Sequence, residues 1–260
     1  MDLDAIKSRL NQLQNTQTNA FWKPQPGKSQ IRIVPYLHDK NNPFSELFFH
    51  YSLVPNKTVL SPLSYGRPDP VQQFADKLKS TGNKDEWIQG KRIEPKMRTF
   101  VPVVVRGEES EGVKFWGFGK TVYQELLAFF ADPDYGDLTD PTNGRDITVE
   151  FKTAKELGKN YPETYIRVKP NQTPITEDKN VLENIKDQIE LPNMFKKYSY
   201  DDMKGLLETW METGQVGDTN EESEAQPTQT NNQTTNEPKA AAVSTSNSDV
   251  KDAFEDLFNN

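Results

Sequence analysis

Residues 91–123 read KRIEPKMRTFVPVVVRGEESEGVKFWGFGKTVY, a span in which cations, aromatic rings and strand-forming residues occur together. Residues 100–106 form a β-branched run and 113–118 an apolar, aromatic one. The polar, glycine-bounded GEESEG between them marks a hairpin loop. Lys91, Arg92, Lys96 and Arg98 precede the first run and Lys120 follows the second, so five cations flank a ribbon carrying Phe100, Phe115, Trp116 and Phe118. Such a ribbon suits a single-stranded nucleic acid: cations track phosphates while bases stack on rings, at about 1–3 kcal/mol per base. The same pattern also describes a core with a solvated rim, since a strand buries alternate side chains whatever its role.

Other chemistries find less support. Only His38 and His50 are available as imidazoles, no cysteine occurs, and no nucleophile with a partnered base can be read off. GFGKT at 117–121 imitates the end of a phosphate-binding loop but lacks its leading glycine. The Asp- and Gly-rich segment 132–146 does not keep the register of a calcium loop, and no glutamate stands where the bidentate ligand belongs. It reads as turns. The chain is therefore expected to bind rather than catalyse.

The elements that must position the cations and rings follow from period and punctuation. Alternation predicts strands over 30–34, 44–53, 147–152 and 164–169, with Ile31 and Ile33 on one face of the first and Arg32 on the other. AKELGKNYPE between the last two offers Lys155, Lys159 and Tyr161 at a hairpin tip. Prolines at 55, 62, 68 and 70 make the intervening segment loop-like. Helices are predicted over 71–79, from Thr121 through Phe130, over 181–191 and over 199–211. An amphipathic helix with Leu3, Ile6, Leu10 and Leu13 opens the chain, before a polar spacer.

The net charge of −8 is unevenly spread. From Gln215 onward there are nine acidic residues against Lys239 and Lys251, which leaves the preceding 214 residues at −1. A near-neutral body can still carry a local basic groove, and local field governs phosphate binding. With 33% hydrophobic residues the chain fits one ordered body plus a disordered remainder. Residues 214–249, rich in Gln, Asn, Thr and Ser, read as a flexible linker. Residues 250–260 regain an acidic, amphipathic pattern, with Phe254, Asp256, Leu257 and Phe258, and read as a partner-docking peptide.

In collinear order, FWK at 21–23, QIRIVP at 30–35, PF at 43–44 with His50, the basic run into VPVVV, VKFWGFGKTVY at 113–123 and FKKYSYDDMKGLLETW at 195–210 resemble the single-stranded DNA-binding protein of T-even-like tailed phages, the gene 32 product family. The resemblance covers about residues 20–212. It implies mixed β structure with helices: an OB-type β-barrel core over 20–213, a small second lobe over 45–87, C-terminal helices and a disordered acidic tail. It implies DNA contacts from Arg32, Arg92, Arg98, Lys120, Trp116 and Tyr161, with Tyr65 and Trp87 matching more loosely, and Lys91, Lys96 and Phe100 joining them from the residue pattern. It further implies a cytoplasmic protein of the infected bacterium that coats single strands in replication, recombination and repair, and recruits replication proteins through its C-terminus. RNA binding by an OB or cold-shock-like protein is the alternative, because stacking does not distinguish sugars.

Two departures stand out. The family's type member holds zinc with one histidine and three cysteines; here His50 matches, while the other positions fall near Ser61, Asp69 and Gln72. The lobe is therefore expected to fold without metal or other cofactor, ordered by prolines and by packing of Leu63, Tyr65, Val71, Phe74 and Leu78. The N-terminal self-association segment, residues 1–19, is expected to act through Leu3, Ile6, Lys7, Arg9 and Leu10, although its basic run is interrupted.

Overall fold

The computed structural model describes residues 20–178, 182, 185, 188–213 and 247–258. The predicted N-terminal helix, with Leu3, Ile6, Lys7, Arg9 and Leu10, lies outside the described residues. So do most of 181–191 and the linker as far as 246.

The architecture is mixed β with helices, built around an eight-stranded sheet. The strands are β1 (Phe21–Trp22), β2 (Gly27–Ile33), β3 (Ser45–Val54), β4 (Lys57–Leu60), β5 (Lys96–Val105), β6 (Lys114–Phe118), β7 (Arg145–Lys152) and β8 (Glu163–Gln172). A path of six runs β1-β6-β5-β2-β7-β8, and β3 pairs with β4 off that path. Only β1 with β6 is parallel among the registered pairs of the path; β5–β6 and β7–β8 are antiparallel hairpins, as their turn residues predict. Among the described residues the pairings do not close on themselves, so in place of the implied barrel the structure has an open sheet.

The chain divides into two compact units: Met1–Glu46 with Arg98–Met194, and Leu47–Met97 with Phe195–Asn260. In the first, Ile31, Ile33, Val101, Val103, Ile147 and Val149 meet Trp22, Trp116 and Phe118 in one core, covered by Val122 and Leu126 of helix α3 (Lys120–Ala131). In the second, helices α1 (Pro70–Ser80), α2 (Lys84–Ile93) and α5 (Tyr200–Thr213) surround Leu53 and Val59. The segment expected as loop around Pro55 is in part a hairpin. Asn56 takes a left-handed φ of 51°, a conformation its short polar side chain tolerates, and turns β3 into β4.

Helix α1 begins where its sequence dictates. Asp69 caps it, accepting from Val71 N at 2.8 Å and Gln72 N at 3.3 Å, and Pro70 occupies the first turn, where no N–H is needed. Val71, Phe74, Ala75 and Leu78 then share its buried face. Gly90 lets α2 lie against α1, since a Cβ there would stand 2.7 Å from the Ala75 carbonyl oxygen.

A further helix, α6 (Asn247–Phe258), takes in the last three residues of the expected linker and belongs to the second unit. Val250 and Phe254 are buried in the α1–α5 core, and Leu257 and Phe258 are partly buried against it. The peptide predicted to face a partner protein thus has its apolar side on its own chain. No helix among the described residues is long and apolar enough to cross a membrane. The short α4 (Ala154–Leu157), with Thr153 and Glu156 forming a capping box, occupies the β7–β8 connection.

Candidate nucleic-acid interface

Three of the residues expected to touch DNA are interior. Trp116 is 1% exposed and packs edge-on against Trp22, with centroids 5.6 Å apart, and against Phe118 at 4.7 Å. Phe100 is equally buried, edge-on to Phe21 at 5.9 Å and pressed on Gly117, where a Cβ would come within 2.6 Å of its ring. Residues 99–105 of β5 are all buried, so both faces of this strand are covered and neither ring presents a surface to a base.

Arg32 is the third. It points away from Ile31 and Ile33 as alternation predicts, but the turn-rich segment before β7 closes over it. Its Nε donates to Asp146 Oδ1 at 3.0 Å and its Nη2 to Thr173 Oγ1 at 2.6 Å. Gly144 is needed for that closure, since a Cβ would meet the Asp140 carbonyl at 2.5 Å and the Arg32 guanidinium at 3.0 Å. Asp146 also takes Arg106, whose Nη2 lies 2.8 Å from Oδ1. Burial pulls the Arg32 pKa below its ordinary value against the attraction of Asp146. This is a buried structural charge cluster rather than a phosphate contact.

The remaining candidates keep accessible groups. Lys120 is exposed at the first residue of α3, and Arg98 is half-buried with Nη2 donating to the Gly117 carbonyl at 3.0 Å. Tyr161 is 62% exposed at the β7–β8 tip. Sequence reasoning missed a richer surface beside it. On β8, Tyr165, Arg167 and Lys169 follow at every second position, pointing opposite to buried Ile166. Register places Glu150 of β7 between Tyr165 and Lys28 of β2, and Thr148 between Arg167 and Gln30. These side chains line an open groove of about 390 Å³. Tyr165 is 40% exposed, and the Lys152 ammonium sits 5.4 Å from its ring centroid. Its hydroxyl donates to Glu163, whose hydrogen bond raises the phenol pKa. Lys28, Arg167 and Lys169 share the face of this ring and Lys152 approaches it directly, with Glu150 and Glu163 as the opposing charges. The period-two spacing of Tyr165, Arg167 and Lys169 was the signal that could have found this face.

The second unit carries two similar pairings. Trp87, 47% exposed on α2, has Lys91 one turn later with its ammonium 5.7 Å from the ring centroid; Lys91 also pairs with Glu94 at 2.9 Å. Tyr65 is half-buried, its hydroxyl donating to the Tyr198 carbonyl at 2.5 Å, and the Arg67 guanidinium stands 5.7 Å from its ring. Arg92 and Lys96 are half-buried nearby in sequence. Exposed rings accompanied by cations offer both interactions that a single strand needs.

Below Trp87's helix lies a buried polar cluster at the positions matched to the family's zinc ligands. His50 Nδ1 is 2.7 Å from the Ile93 carbonyl, which can only accept, and Nε2 is 2.8 Å from Asp69 Oδ2. Asp69 also accepts from Ser61 Oγ and from the first N–H groups of α1. Burial pushes its carboxyl up, but the His50, Ser61 and Val71 hydrogen bonds outweigh that and hold it below the usual range. The cluster offers one imidazole, one carboxylate and one hydroxyl with no thiolate, and both ring nitrogens of His50 are already engaged by protein oxygens. The residues present therefore do not fit a zinc site. Nor do they fit a hydrolytic triad: Ser61 donates to the carboxylate instead of the imidazole, and all three residues are buried.

A search of curated proteins finds no match to the chain. A model of the family described as gp32 DNA binding protein like matches residues 25–217, nearly three quarters of the length and both units. On this match the chain belongs to the gp32-like family of single-stranded DNA-binding proteins.

Proposed function

We propose that this chain binds single-stranded DNA without sequence preference and coats transient single strands during phage DNA replication, recombination and repair in the cytoplasm of the infected bacterium. The observation that carries the reading is the pair of exposed rings, Trp87 and Tyr165, each with a cation within 6 Å of its centroid. Stacking accepts every base, and cations without base-edge donors in fixed array read no sequence. Self-association along DNA through residues 1–19, and recruitment of replication proteins by the C-terminal peptide, belong to the same proposal.

A fluorescence titration tests it. Trp22, Trp116 and Trp210 are buried, so quenching by oligo(dT) is expected to come from Trp87 and to disappear in Trp87→Phe while binding itself persists. The logarithm of affinity should fall linearly with the logarithm of salt, at a slope of about −0.7 per phosphate contact. Oligo(rU) bound as tightly as oligo(dT) would favour the RNA reading, and no response to either would remove both.

The second unit is proposed to fold without zinc, its His50–Asp69–Ser61 cluster tying β3, the turn at Pro62 and the ends of α1 and α2 as a metal would. Purified protein should carry well under one zinc per chain, and an excess of chelator should leave the melting temperature unchanged. Stoichiometric zinc with chelator-induced melting would refute this.

A further inference from the structure

The α1–α5 surface of the second unit and the helix α6 that lies on it have complementary chemistry. Phe254 packs edge-on against Phe74 of α1 at 5.9 Å and sits among Val71, Leu78 and Leu207. Lys204 of α5 stands over two rings at once, 5.5 Å from the Phe254 centroid and 5.2 Å from that of Phe258. Lys77 of α1 pairs with Asp256. The groove thus offers an apolar floor with a lysine on each wall, and its ligand is a short acidic helix with rings four residues apart. A 12-residue helix is marginal alone, so α6 is helical because it is docked. The 33 residues between Thr213 and Asn247 could span roughly 110 Å, ample for the same chain to supply both groove and helix. The family match ends at 217, well before this helix.

We infer that the α1–α5 groove is a receptor for an acidic amphipathic helix, that the chain's own C-terminal helix is its resident occupant, and that partner proteins must displace this helix from the groove to read it. The partner-docking part rests on the proposed function above. Its logic is steric: Val250, Phe254 and Phe258 make a single apolar face, and that face cannot lie on the groove and on a partner together. Docking within one chain holds the peptide at an effective concentration of order millimolar, so a partner sees it weakened by that competition.

Hydrogen–deuterium exchange on the full chain tests this. Amides of α6 are expected to exchange at least about tenfold more slowly than in a synthetic peptide of residues 247–260. Phe254→Ala should bring them to the peptide's rate while α1 and α5 keep their protection, which separates undocking from unfolding. Lys77→Glu and Asp256→Lys should each speed exchange by up to about fivefold, as for an exposed ion pair, and the double exchange of charges should restore it. Excess synthetic peptide should deprotect the resident helix. Exchange of α6 at the free-peptide rate in the unaltered chain overturns the inference, and so does protection that vanishes on dilution, which would assign the helix to a second copy. Loss of the oligo(dT) response with α6 still protected would sink the proposed function and leave the groove standing.

Discussion

Asp146→Ala is expected to destabilise the first unit by about 3–5 kcal/mol, because it leaves two guanidinium groups facing one another with their shared carboxylate gone. Arg32 is fully buried and cannot recover its loss from water. Thr173 Oγ1 and the Asp140 carbonyl remain as acceptors, but neither carries the neutralising charge. In a body of this size the melting temperature should drop by on the order of 10 °C. Arg32→Leu should be much milder, since Asp146 keeps Arg106 and the burial is replaced by apolar contact. Its affinity for oligo(dT), measured on folded protein, should stay within about twofold of the parent. A selective loss of affinity in Arg32→Leu would return that residue to the DNA contacts, and a urea midpoint untouched by Asp146→Ala would dismiss the cluster.

Arg167→Glu with Lys169→Glu is expected to weaken single-strand binding by about 25-fold or more at roughly 0.1 M salt. Each lost phosphate contact removes about 0.7 from the magnitude of the salt slope, and at that ionic strength each is equivalent to about a fivefold change. The slope should accordingly become shallower by about 1.4. Arg167 is exposed and Lys169 half-buried on the face of β8 opposite Ile166, and neither belongs to the hydrophobic core. Lys40→Glu with Lys57→Glu makes the same change in net charge at exposed positions off that face and serves as the comparison. Equal losses in the two double variants would show a diffuse field and take the β2–β7–β8 groove out of the interface.

How far these features could be read from the sequence depended on the range of the interactions that fix them. Strands β2, β7 and β8 follow from local alternation and β5 and β6 from their apolar runs, and the GEESEG turn sets the β5–β6 hairpin. Strand β1 has two residues and exists only because Phe21 and Trp22 find β6 about ninety residues away. The short β4 was hidden by the prolines around it. Arg32 misled because its face of β2 is solvent-like in pattern, and only the return of Asp140, Gly144 and Thr173 makes it interior. Phe100 and Trp116 misled for a related reason: the apolar continuity of VPVVV signals a strand covered on both sides, a property of the whole sheet. Tyr161, Trp87 and Lys91 stay accessible where expected, whereas Tyr165 and its neighbours were visible as a strand but not as a surface.

The order in which the polypeptide leaves the ribosome gives the split second unit a distinct consequence. Its first segment, Leu47–Met97, emerges roughly a hundred residues ahead of Phe195–Asn260. Until Met203, Leu207 and Trp210 arrive, the apolar flank of Phe74 and Leu78 has no lid, while the first unit can already close once Met194 is clear. The nascent molecule is therefore most prone to sticking to its neighbours during the last quarter of translation. A stall in that window would release a chain with one finished body and one open one.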